Sequence, residues 1–151
     1  MWMIKPHSLR FATAIVLLFL VTACSTGGED ALGGDGLPVK SPSETYEHTV
    51  GVIDGVLTLE PNGCWTIDLG DGKRLAVFPT GFTKDDSGSL MASADGEIAV
   101  GSGDEVTARG GVAPAAGFPG VPDGYWGNYL TFCKPAIEEF VVMDEILRVT
   151  G

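Results

Sequence analysis

Histidine is nearly absent from this sequence of 151 residues, which contains only His7 and His48. A Ser-His-acid catalytic site needs a histidine beside the nucleophile, and zinc sites are built from several histidine, cysteine or carboxylate ligands. His7 lies in the export segment described below, so His48 stands alone, and we predict that it is an exposed, idle side chain. The sequence therefore predicts no catalytic residue, no metal site and no cofactor.

Basic residues are also scarce, with nine Lys and Arg against 20 Asp and Glu. Without Lys5 and Arg10, which belong to the export segment, the net charge is near −13. Such a domain repels nucleic acid, which we exclude as a partner. The acidic residues are scattered, and we interpret the adjacent pairs Asp85-Asp86 and Glu138-Glu139 as solvated surface rather than as acid–base pairs.

The chain has no hydrophobic run long enough to span a membrane. Its longest, Phe11 to Ala23, would reach roughly 20 Å as a helix, short of the roughly 30 Å of a bilayer core. Lys5 and Arg10 precede this run and small residues end it, which is typical of a signal peptide.

The end of this run, Val21-Thr22-Ala23-Cys24, resembles the bacterial lipobox. The resemblance implies that the Cys24 thiol carries diacylglycerol and that Cys24 becomes the mature N-terminus. A multiply acylated N-terminus holds a protein firmly on a membrane. We therefore expect a lipoprotein at the extracytoplasmic face of a bacterial membrane, with a signal peptide over 1–23, a Gly- and Ser-rich flexible tether over 24–46 and a domain over 47–151.

Short apolar stretches separated by turn residues predict that this domain is all-β. In "CWTIDL", Trp65, Ile67 and Leu69 alternate with Cys64, so the cysteine points away from the core. In the stretch "TVGVIDGVLTLE", the change of phase at Asp54-Gly55 predicts either a bulge or a two-residue hairpin turn, and we favour a long first strand with a bulge. The later stretch "DLGDG" predicts a turn rather than a calcium loop.

Two stretches near the C-terminus are harder to assign from their sequence pattern. The glycine- and proline-rich stretch 111–127 is predicted to be irregular. The stretch 138–149 fits a strand or a helix, and adjacent Val141 and Val142 favour the strand.

A family resemblance predicts which all-β fold this domain adopts. The stretches "GVLTLEPNGCWTIDLGDG", "LAVFPTG" and "GEIAVGSGDEVTARGG", within residues 50–112, resemble a group of secreted domains and lipoproteins from high-GC Gram-positive bacteria. The resemblance implies a small OB-like barrel of five to six strands and an extracytoplasmic location. Its shared motifs are turns and core positions, so it implies no chemistry.

The two cysteines that remain after lipidation, Cys64 and Cys133, are predicted to form a disulfide, with free thiols or a metal pair as the alternatives. Because Cys64 points away from the core, its partner must come from a segment on the outside of the barrel. We therefore predict that residues 114–135 wrap over that outer face.

The aromatic stretch "PDGYWGNYLTFC" is the one candidate for a partner surface, formed by Tyr125, Trp126 and Tyr129. The alternative, which we favour, is that these side chains cover the barrel beside the disulfide. We expect a non-enzymatic envelope domain that binds a small ligand, a glycan or an envelope protein. The alternatives are an envelope hydrolase or metal-dependent enzyme, and a structural subunit docked on a membrane protein.

Overall fold

The computed structural model describes residues 37–151, so Cys24, the signal peptide and most of the tether lie outside the described residues. The described part contains one α-helix, α1 (Tyr125–Cys133), and a 3-10 turn at Ala115–Gly117. Its strands are β1 (Gly51–Leu59), β2 (Trp65–Asp68), β3 (Lys73–Val77), β4 (Thr83–Lys84), β5 (Leu90–Ala92), β6 (Ala99–Gly101), β7 (Glu105–Pro114) and β8 (Glu139–Thr150).

Five of the strands close into a barrel in the order β1-β2-β3-β8-β7. The β3–β8 pair is parallel and the other pairs are antiparallel. Strands β4, β5 and β6 form a separate small sheet inserted between β3 and β7. This architecture confirms the predicted all-β, OB-like barrel, and β8 confirms that the stretch 138–149 forms a strand.

Strand β1 is continuous and changes partners along its length. Residues 51–56 pair with β7, and residues 56–59 pair with β2. Its side chains alternate without a break, with Leu57 buried and Val52 68% exposed, so the predicted bulge at Asp54-Gly55 is wrong. Gly55 is needed there because a Cβ would lie 2.7 Å from the Ile67 side chain. The irregular pairing lies instead between β7 and β8, beside Ala108 and Gly110.

The hydrophobic side chains form two clusters on opposite faces of the barrel wall. The inner core fills the barrel and includes Trp65, Ile67 and Phe78. The outer cluster includes Cys64 and Phe140 and lies under α1. Because alternate residues of β2 point to opposite faces, the predicted orientation of Cys64 away from the inner core is confirmed.

The stretch 111–127, predicted to be irregular, is regular at its two ends, and turns occupy its middle over residues 118–124. Residues 111–114 continue β7, and α1 begins at Tyr125. Gly127 allows the helix to form where it does, because a Cβ there would collide with the backbone of Pro122. The helix ends at Lys134, whose φ of 46° is left-handed and whose N–H bonds the Leu130 carbonyl oxygen.

Residues 37–48, which we call the N-terminal arm, pack on the barrel. Leu37 and Val39 are 3% and 2% exposed and belong to the inner core. The arm pairs with the chain beyond β3, since Phe78 donates to the Pro38 carbonyl (2.7 Å) and Lys40 donates to the Phe78 carbonyl (2.9 Å). The predicted domain boundary at 46 is therefore wrong, because the folded part already includes residue 37.

Candidate functional site

An open cleft of about 530 Å³ lies on the outside of the barrel, beside the loop that joins β1 to β2. It is enclosed by that loop, the outward face of β2, the β2–β3 turn and the chain that follows α1. Its lining residues are Glu60, Pro61, Asn62, Thr66, Asp68, Gly72, Lys73, Cys133, Lys134, Pro135 and Ala136. Its volume is within the range of sites for small molecules.

Glu60 accepts two side-chain hydrogen bonds within the cleft. Its Oε1 accepts hydrogen bonds from Lys73 Nζ (2.8 Å) and Thr66 Oγ1 (2.9 Å). These two bonds, that from Lys73 first, hold the pKa of Glu60 below its usual value despite the opposing effect of burial. Glu60 is therefore an ionised hydrogen-bond acceptor at neutral pH.

Asp68 shapes the opposite side of the cleft. Its Oδ1 accepts hydrogen bonds from the N–H groups of Gly70 (2.8 Å) and Gly72 (3.3 Å), which confirms the predicted turn. The cleft carries two carboxylates, Glu60 and Asp68, and two ammonium groups, Lys73 and Lys134. Its formal charges therefore balance, although the protein as a whole is strongly acidic.

The Cys64–Cys133 disulfide forms one wall of the cleft. The predicted pairing is confirmed, with the two Cα atoms 5.9 Å apart. Cys64 is 1% exposed, and Cys133 is the last residue of α1. The disulfide thus fixes the C-terminal end of α1 to the start of β2, as predicted for residues 114–135.

The three aromatic residues proposed as a partner surface are not an exposed group. Trp126 is fully buried in the outer cluster, with its ring centroid 5.1 Å from that of Phe118, and Tyr129 is 9% exposed. Tyr129 accepts a hydrogen bond from the Trp65 N–H (3.2 Å), and burial raises the pKa of Tyr129 to about 12. Tyr125 is half-buried against Trp126. The partner-surface interpretation is wrong for Trp126 and Tyr129, because side chains covered by the barrel and by α1 cannot contact a partner.

His48 is not the idle, exposed residue that we predicted. Its side chain is 5% exposed, and its Nδ1 lies 2.9 Å from the Tyr46 carbonyl oxygen. Its Nε2 lies 2.9 Å from Oδ2 of Asp144, whose Oδ1 accepts a bond from Lys40. Burial raises the pKa of Asp144, but the hydrogen bonds from Lys40 and His48 outweigh it and keep that pKa below its usual value. The three side chains hold the N-terminal arm on β8.

Asp144→Asn is expected to destabilise the protein by about 1–2 kcal/mol at pH 7, since it removes the charge that Lys40 and His48 face. A carboxyl whose pKa is lower when folded stabilises the protein above its unfolded pKa near 4. That contribution is lost as the pH falls through the folded pKa, below 4. Urea unfolding between pH 7 and 2 should therefore show the difference from wild type shrinking towards zero below pH 4. A constant difference across this range would contradict the prediction.

The adjacent acidic residues differ in their roles. Glu139 is not simple solvated surface, because its Oε2 accepts a hydrogen bond from Arg74 Nε at 2.6 Å. Asp71 and Glu139 flank the Arg74 guanidinium, and their hydrogen bonds raise its pKa. Asp85 organises its own loop, since its Oδ1 accepts from the N–H groups of Ser89 and Leu90 (both 3.0 Å).

Sequence reasoning missed the cleft residues, although one signal for them was present. Thr66 and Asp68 alternate with the inward residues of β2 and therefore share the outward face with Cys64. The prediction from the sequence uses this outward face only to place Cys64 and its disulfide. Nothing in the local sequence shows that Glu60 and Lys73, thirteen residues apart, meet across this face.

Comparison with known proteins adds no family to this description. No known protein family matches the chain, and no curated protein matches its sequence. Within residues 37–151, no three His, Cys, Asp or Glu side chains are grouped as metal ligands. Over the same range, no helix is both long and apolar enough to cross a bilayer.

Proposed function

We propose that this protein is a lipid-anchored extracytoplasmic lipoprotein of the cell envelope, a non-enzymatic domain that binds a small, neutral, hydroxyl-rich ligand such as a glycan in the cleft. The observation that carries the ligand class is the balance of charge at Glu60, Asp68, Lys73 and Lys134. Carboxylates accept hydrogen bonds from ligand hydroxyls, and ammonium groups donate to ligand oxygens. A strongly anionic or cationic ligand would gain nothing from this balance.

The ionisation of Glu60 supports binding over acid catalysis. A general acid at neutral pH needs a raised pKa, so that it still holds its proton when the reaction requires it. The pKa of Glu60 is lowered by Lys73 and Thr66. A permanently ionised carboxylate with a fixed orientation is suited to accept hydrogen bonds.

Titration of the purified protein with neutral disaccharides and N-acetylglucosamine oligomers, followed by amide NMR shifts, tests the cleft. The shifts should be confined to residues 60–73 and 133–136. Glu60→Gln should weaken the binding about tenfold, because it removes the charge from a hydrogen-bond acceptor. Glu105→Gln, an exposed position outside the cleft lining, is the matched control and should bind like wild type. Saturable binding with shifts elsewhere, or no binding by the whole series, would count against the proposal.

The lipid anchor is tested separately by growing cells with a labelled fatty acid. Wild type is expected to carry the label and to sediment with membranes. Cys24→Ser should carry no label, because a hydroxyl at this position is not the thiol that the lipobox resemblance implies. Ser25→Ala, which leaves the cysteine intact, is the control and should be labelled. A Cys24→Ser protein that still carries labelled lipid would contradict the assignment.

A further inference from the structure

Strand β8 has a partner along only part of one of its edges. On one side it pairs with β7 along its whole length, from Glu139 to Thr150. On the other side it pairs with β3 only at residues 140–142. Within residues 37–151, no strand pairs with that edge beyond Val142. Unpaired strand edges present free backbone N–H and C=O groups to which another chain can pair.

The start of β6 lies across a groove from β8. Strand β6 is the last strand of its sheet and pairs only with β5 in the described part of the chain. The groove has a volume of about 260 Å³ and is lined by residues 97–99 on one side and 146–149 on the other. Four residues of β8 correspond to about 13 Å of extended chain. The groove is thus lined by strand β8 on one side and, on the other, by Ala99 and the two residues that precede β6.

Both apolar and charged residues line this groove. Ile146 belongs to the inner core, and Ile98 and Val149 pack against it. Glu97 and Arg148 are exposed on opposite sides of the groove. Neither of them has an ion-pair partner within the described range 37–151, and Arg148 Nη2 donates to the Thr107 hydroxyl (3.2 Å). The groove therefore offers one unpaired charge of each sign.

The N-terminal arm already binds to the neighbouring part of the barrel in a comparable way. Its extended residues 37–40 exchange backbone hydrogen bonds with Phe78, and Val39 inserts into the inner core. Lys40 then forms an ion pair with Asp144, two residues before the groove begins on β8. Backbone pairing, the buried side chains of Leu37 and Val39 and an ion pair thus hold an extended segment there.

We propose that the groove between residues 97–99 and 146–149 binds an extended peptide segment of a partner protein, which pairs with the free edge of β8 as an added strand. The segment places an apolar side chain on the partly buried Ile98 and Val149, a basic side chain against Glu97 and an acidic one against Arg148. The occupant is a partner because residues 27–36, "GGEDALGGDG", contain no basic side chain for Glu97. This site is separate from the ligand cleft and does not depend on it.

Two blocked peptides, Thr-Lys-Val-Thr-Val-Glu-Thr and Thr-Glu-Val-Thr-Val-Lys-Thr, test the proposal on the full-length protein in detergent, since together they cover both strand directions. We expect one of them to bind, with NMR amide shifts and slowed hydrogen exchange confined to residues 97–99 and 143–149. Proline at the central threonine should weaken that peptide at least tenfold, because proline lacks the N–H that a ladder bond needs.

Charge reversal on the protein supplies the matched test. Arg148→Glu should weaken the binding peptide about two- to fivefold, as expected for an exposed ion pair, and a peptide with lysine in place of its glutamate should recover that loss. Glu105→Lys is the control, because it reverses an exposed charge outside the groove lining, and it should leave the affinity of both peptides unchanged. The proposal is overturned if neither peptide perturbs these amides at millimolar concentration, or if the proline peptide binds equally well.

Discussion

Trp126→Ala is expected to lower the free energy of unfolding by about 3–5 kcal/mol, the range for truncating a large aromatic side chain in a core. Trp126 is fully buried at the centre of the outer cluster, where its ring contacts those of Phe118 and Phe140. Its Nε1 also donates to Glu44 Oε2 (3.2 Å), so the substitution removes a bond between α1 and the N-terminal arm. For a domain of this size, the melting temperature should fall by roughly 10–20 °C.

Thermal and urea unfolding, followed by circular dichroism, measure this effect. Phe132→Ala is the matched control, because Phe132 is on the same helix but 64% exposed, and it should change stability by less than about 0.5 kcal/mol. Equal effects of the two substitutions would show that α1 does not pack through Trp126. A Trp126→Ala melt identical to wild type would contradict the packing described above.

Removal of the disulfide by the double substitution of Cys64 and Cys133 with alanine is expected to cost about 4 kcal/mol. The bridge closes a loop with a sequence separation of 69, and the chain-entropy relation gives this value for a loop of that length. The loss should appear as a lower urea midpoint, because the cross-link reduces the conformational entropy of the unfolded chain. Typical domains have only about 5–15 kcal/mol of stability, so the remaining margin would be small.

The disulfide prediction has two controls. Single substitution of Cys64 should be at least as harmful as the double one, because it leaves Cys133 as a free thiol beside the cleft. Reduction of wild type by dithiothreitol should reproduce the loss, and thiol counting should confirm that two thiols appear. Unchanged urea midpoints after complete reduction would refute the assigned stabilisation.

The barrel and the face of Cys64 could be predicted from the sequence because they depend on local alternation. Trp65 and Ile67 of β2 occupy one face, and the preceding Cys64 occupies the other. Because side chains alternate between the two faces of a strand, burial of the face with Trp65 and Ile67 fixes the face on which Cys64 lies. The final strand was also predictable, since Val141 and Val142 are both buried, one on each side of the barrel wall.

The elements that the sequence did not predict depend on contacts between distant residues. Helix α1 contains Gly127 and follows a Pro- and Gly-rich stretch, so its local propensity is poor. It is stabilised by aromatic packing on the outer cluster and by the disulfide at its end. The role of His48 depends on Asp144, 96 residues away, and no local pattern reveals such a pair.

The cleft could be predicted from the sequence only in part. The outward positions of β2 were readable from alternation, but the meeting of Glu60 with Lys73 depends on the β1–β2 and β2–β3 turns bringing them together. The closing wall is supplied by Cys133 and Lys134, about 70 residues further along the chain. Charge balance at the cleft is therefore a property of the folded chain and cannot be read from its acidic composition.

The N-terminal arm places the first described residues of the domain at the end of β3 that lies away from the cleft. Strand β3 begins at Lys73 in the cleft, and the chain reaches the arm at Phe78, about 17 Å further along. If Cys24 carries the lipid, residues 25–36 form the tether between the lipid and the described domain, with a reach of at most about 40 Å. A tether attached at the arm end of β3 would join the domain away from the cleft, so the attachment itself would leave the cleft open to ligands.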